Sequence, residues 1–98
     1  VKTTTRVTQY EVSVLAEDNI NHGTYAINVE YRGEGRWAVV RHRFCLGADG
    51  EWDFEVRPSE REDEWLAGHR FDLETALRLA EQAAPEIVVN GRSAKDVA

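Results

Sequence analysis

Three histidines, one cysteine and a surplus of carboxylates are the groups in this sequence that could carry chemistry. His22 falls in a polar loop, His42 on a strand and His69 near a helix end. None pairs with another at the i,i+4 spacing that turns two imidazoles toward one metal ion. Cys45 is the single thiol, so an internal disulfide or a thiolate cluster is excluded. As a nucleophile it would need an imidazole, a cation or a helix N-terminus beside it. Arg43, two positions away, is the one candidate in its own strand. A lone strand cysteine reads as a small buried hydrophobe, and His42 as a core-edge residue bonded to a carbonyl or carboxylate. Neither a cofactor nor a metal site nor a catalytic set is expected, and the chain does not read as an enzyme.

The carboxylates are too numerous for any pair to stand out. Asp53 and Glu55 alternate on one face of a strand and are expected to meet Arg41 and Arg43 across the sheet, an ordinary stabilising ladder. Gly33-Glu34-Gly35 lacks both the lysine-serine continuation of a phosphate loop and the spacing of a dinucleotide fingerprint, and reads as a turn.

Two surfaces remain as candidate sites. The first is a strand face with Trp37, Arg41 and Arg43, residue types that stack on bases and neutralise phosphates in single-stranded nucleic acid or RNA. Twelve basic residues against eighteen acidic, a net charge of −6 and only two lysines, Lys2 and Lys95, speak against that use. The second is the acidic run Glu60–Glu64, containing Glu62 and followed by Trp65 and His69. An exposed tryptophan there would anchor a protein partner; otherwise Trp65 and Leu66 pack back onto the sheet.

The elements that must position these groups follow from periodicity. Tyr10, Val12, Val14 and Ala16 alternate with Glu11, Ser13 and Leu15, a half-buried strand. Tyr25, Ile27, Val29 and Tyr31 mark a second. After the Gly33–Gly35 turn a third spans about Arg36 to Leu46, with Ala38, Val40, His42, Phe44 and Leu46 on one face and Trp37, Val39, Arg41, Arg43 and Cys45 on the other. Asp49-Gly50 turns the chain into a fourth strand with Trp52, Phe54 and Val56. Short connections make this an antiparallel meander. Ser59 and Glu62 have capping-box spacing ahead of a short helix. Asp72 caps a longer one, in which Leu73, Ala76, Leu77, Ala80 and Ala84 recur at helical spacing until Pro85. Ile87–Val89 forms a short fifth strand that ends at the Asn90-Gly91 turn.

The expected fold is therefore α+β: a four-stranded antiparallel meander with a short and a longer helix packed on one sheet face, plus a short fifth strand. A length of 98 residues, 42% hydrophobic and 31% charged, suits one domain spanning 1–98 with a flexible lead-in at 1–7. No stretch approaches a membrane span and no basic-then-apolar leader opens the chain, so a cytoplasmic location is expected.

The stretch Arg36-Trp37-Ala38-Val39-Val40, then Gly50-Glu51-Trp52, Pro58 through His69, Phe71-Asp72-Leu73 and Thr75-Ala76-Leu77 resembles a family of small uncharacterised proteins of actinobacteria and their phages. The resemblance implies no activity and transfers no functional residue; it implies a small accessory protein that binds a host component. The expected function is a small protein–protein interaction module, with a protein partner or a homodimer through an open sheet edge or a tryptophan-bearing face. Nucleic-acid binding through the Trp37 face is the alternative, and an enzyme whose site forms only in three dimensions is the second.

Overall fold

A computed structural model describes residues 1–98. Five strands form one antiparallel sheet in sequence order: β1 (Gln9–Val12), β2 (Ile27–Tyr31), β3 (Trp37–Arg41), β4 (Phe44–Leu46) and β5 (Trp52–Phe54). Helix α1 (Asp63–His69) and helix α2 (Leu73–Ala83) follow, then a small hairpin of β6 (Val88–Val89) and β7 (Arg92–Ser93), and the final turn of helix α3 (Ala94–Val97). This is the expected α+β architecture with helices packed on the sheet.

The expected third strand is two strands. An eleven-residue strand would run about 37 Å, far past the five-residue β2 beside it, and strand its backbone groups without partners. The chain instead folds back at His42-Arg43, pairing Arg41 with Phe44 and Val40 with Cys45. His42 takes φ 55°, a left-handed conformation usual for glycine or asparagine. This reversal changes the faces. Cys45 joins Ala38 and Val40 rather than Trp37 and Val39, and Leu46 lies on the side of Val39.

The first strand is also shorter than its alternation predicts. The chain leaves β1 after Val12, the Ser13 hydroxyl accepts from the Leu15 amide, and Leu15 turns into the core while Val14 faces out. The glycine-bearing turns form where their residues place them. Gly33, Glu34 and Gly35 all take positive φ in the β2–β3 turn, as do Asn90 and Gly91 between β6 and β7.

Register divides the sheet cleanly. One face carries Tyr10, Val12, Ile27, Val29, Tyr31, Trp37, Val39 and Leu46. Helix α2 lies on this face against β1, β2 and β3. Its Asp72 cap accepts from the Thr75 amide at 3.3 Å, and Ala76 and Ala80, with Ala84 just beyond, are fully covered. Small side chains let the helix backbone sit close to the β-branched floor.

The opposite face receives Trp65 of α1 against Ala38, Val40 and Cys45. Ser59 lies in a preceding turn of 3₁₀ helix and caps nothing; Glu62 occupies the α1 cap position without a side-chain hydrogen bond. The connection between the helices passes beside β3, where the short β4 leaves space. There Trp37 and Phe71 exchange backbone hydrogen bonds of 2.7 and 2.9 Å. No helix is long and apolar enough to cross a membrane.

Candidate interaction site

The six residues singled out from the sequence go to three different places. Trp37 is a core residue, 7% exposed, with its ring tilted against Tyr10 and Tyr31 at 5.7 and 5.2 Å. Arg41 shares its sheet face but is half-buried, and its Nη1 donates to the Ala26 carbonyl at 3.0 Å. Burial pushes the Arg41 pKa down. Arg43 sits exposed in the β3–β4 turn. The Trp37–Arg41–Arg43 surface is therefore not a stacking platform: α2 covers the ring, and the hairpin carries Arg43 away.

Trp65 and His69 do come together. Their rings stack 4.2 Å apart, 8° from parallel, and the Arg70 guanidinium lies 5.3 Å from the Trp65 ring centroid. Glu62 stays exposed at the helix start. Both His69 ring nitrogens are committed, Nδ1 with the Trp65 carbonyl at 2.7 Å and Nε2 with Asp53 Oδ2 at 2.8 Å. The Cys45 thiol is buried between the His69 carbonyl and the Arg70 Nη1, and burial pushes its pKa up. The imidazole thus holds a helix end to β5, and the thiol is not poised as a nucleophile. No group of three His, Cys, Asp or Glu side chains is placed to hold a metal ion.

Asp53 and Glu55 do not form the expected ion pairs with Arg41 and Arg43. Because β5 pairs with β4, Arg41 lies a strand away, and although Arg43 lies opposite Glu55 in the backbone ladder its side chain does not reach that carboxylate. Glu55 instead accepts from Arg70 and Arg32 at 3.0 Å each and from Arg61 at 3.4 Å. Three guanidiniums from separate parts of the chain converge on one carboxylate.

The surface with the clearest capacity to bind lies on the other face of the sheet, at its β4–β5 end. Helix α2 leaves the β4–β5 end of its face uncovered. Phe44 and Phe54, cross-strand partners, remain 42% and 60% exposed, their rings edge-on at 5.2 Å. Beside them a groove of about 500 Å³ runs between Arg41, Phe44 and Trp52 and the segment Glu86–Val89, where Val88 is 60% exposed. A second hollow of about 410 Å³ continues from Trp52, Glu86 and Ile87 toward Leu79 and Ala83.

The rim of this groove is an open sheet edge. The Glu55 amide donates to the Arg43 carbonyl and the Gly47 amide to the Glu51 carbonyl, each at 2.9 Å. Glu51, Asp53 and Glu55 therefore direct their backbone groups at β4, and Trp52 and Phe54 direct theirs outward. The other edge of the sheet is guarded: Gln9 and Glu11 of β1 present polar side chains there, and Glu11 is held by His22 at 2.7 Å. The strand run Trp52–Phe54 was legible in the sequence, but its edge position was not, because edge and centre are distinguished only by strand order.

Comparison with protein-family models, curated proteins and solved structures finds no match.

Proposed function

We propose that this protein is an interaction module that binds an extended segment of another protein along β5, with the groove beside it receiving the segment's apolar side chains. The observation that carries this reading is the coincidence of an unpaired strand edge with an exposed aromatic pair and a continuous apolar hollow. Main-chain hydrogen bonds from an added strand would satisfy Trp52 and Phe54, and its alternate side chains would fall beside the Trp52 and Phe54 side chains at the mouth of the groove. On this reading the partner is a host component met in the cytoplasm, the role expected of a small actinobacterial or phage accessory protein.

A displayed library of random octapeptides selected against the protein tests the reading. Phe54→Pro removes an outward amide and leaves the β4 ladder intact, since proline is tolerated where the amide faces solvent. Enriched peptides should lose binding to Phe54→Pro, and bind Phe54→Ala more weakly than wild type but detectably. Binders indifferent to both substitutions, or a library from which none is enriched, would overturn it.

A further inference from the structure

The side chains flanking the β5 edge specify what kind of strand fits there. Trp52 and Phe54 point to the groove face, so the partner positions above them are apolar. On the opposite face stand Glu51, Asp53 and Glu55, all acidic. Glu55 is neutralised by its arginines, but Asp53 keeps one carboxylate oxygen outside its bond to His69 and its side chain is 48% exposed, while Glu51 is exposed.

A second copy of the chain is a poor occupant. Antiparallel pairing of two β5 strands must join the outward-facing positions 52 and 54, which forces odd-numbered positions to face odd-numbered ones. Asp53 then meets Glu51, Asp53 or the arginine-bound Glu55 in the registers that keep the strands overlapped, and the first two set uncompensated like charges opposite one another. Like charges directly opposite are destabilising. The acidic row thus acts against self-pairing while leaving an attractive position for a cation.

We infer that the β5 edge selects an extended peptide in which lysine or arginine alternates with aliphatic or aromatic residues, the cations lying over Asp53 and Glu51 and the apolar side chains over Phe54 and the groove. This rests on the strand-addition reading above and names the partner's chemistry.

The test uses two eight-residue probes, one alternating valine with lysine and one alternating valine with glutamate, titrated by calorimetry into the full chain. The lysine probe should bind and the glutamate probe should bind at least roughly tenfold more weakly. Asp53→Lys should weaken the lysine probe by roughly three- to tenfold and strengthen the glutamate probe. Asp53→Asn, which can keep a hydrogen bond to His69, should lie between. Glu74→Lys, an equal change of net charge a helix length from the groove, should leave both affinities unchanged.

Equal weakening by Glu74→Lys would mean bulk attraction to an acidic protein and would overturn the inference. Equal binding of both probes, lost in Phe54→Pro, would overturn the charge preference and leave strand addition standing. If neither probe binds and the octapeptide selection also fails, both readings fall. A dimer in sedimentation, abolished by Phe54→Pro, would make the occupant a second copy and overturn the partner chemistry.

Discussion

His22 illustrates how much one side chain can organise when its partners are remote in sequence. Its Nδ1 faces the Leu15 carbonyl at 2.9 Å and its Nε2 faces Glu11 at 2.7 Å, so the ring closes the loop after β1 onto the strand that precedes it. Two acceptors favour the imidazolium, and its pKa lies above the ordinary 6.5, chiefly through the Leu15 carbonyl and then Glu11. A raised folded-state pKa contributes stability that is complete below the unfolded value and lost as pH climbs through the folded one. The melting-temperature advantage of wild type over His22→Gln should therefore be larger near about pH 5.5 than near about pH 8.5. Glu11→Gln should shrink that advantage at the acid end, and an NMR titration of the His22 ring should place its midpoint above that of an unstructured peptide. An advantage independent of pH would refute the assignment. In the sequence His22 was a loop residue and nothing more; a carbonyl seven positions away leaves no mark on composition or period. Cys45 was more legible, since a lone cysteine in an apolar strand is usually a packing residue, and it is.

At the scale of elements, Glu55 ties together parts that share no ladder. Arg32 follows β2, Arg61 precedes α1 and Arg70 follows it, and all three reach the same carboxylate. The Arg70 side chain is 5% exposed, and Glu55 is the carboxylate that compensates its buried charge. Removing one member of a buried pair leaves the other uncompensated, which costs more than the pair itself contributes. Glu55→Gln should lower unfolding free energy by about 3 kcal/mol in urea titration, near the low end for a broken buried pair because Arg32 and Arg61 can turn to water. A loss under about 1 kcal/mol would show the cluster to be a surface network. The carboxylate is visible in the sequence as one face of a strand opposite Arg43, but the guanidiniums it binds are those of Arg32, Arg61 and Arg70. One turn puts Arg41 out of reach. His42-Arg43 contains none of the glycine, asparagine or proline that announce a reversal, whereas Asn90-Gly91 and Gly33–Gly35 do, and those turns were read correctly.

For the molecule as a whole, the spacing of layers is set by alanine. Ala76, Ala80 and Ala84 are at most 1% exposed between α2 and the sheet. A longer side chain there must lift the helix or leave its rotamer well. Ala80→Leu should destabilise the protein by about 2 kcal/mol, measured by chemical denaturation. A neutral or stabilising effect would mean the layers are loosely packed. The thin body, 21 Å across its shortest dimension, exposes 6820 Å² where size scaling for a compact chain gives about 5,700 Å². Part of that excess is the exposed run of residues 1–8, and part is the uncovered β4–β5 end that the proposed partner strand would cover.

The sequence by itself determined the α+β class, the alternating strands, the long amphipathic helix with its Asp72 cap and the glycine-bearing turns. These are properties of side-chain period and backbone preference, which act over a few neighbouring residues. Tertiary structure alone decided that α2 hides Trp37, that α1 lays Trp65 on the other face, that Glu55 gathers three arginines and that β5 is left with a free edge. Each of these depends on contacts between residues far apart in the chain. A two-residue reversal at His42 was enough to redistribute which side chains face the core, which face each other and which face the solvent.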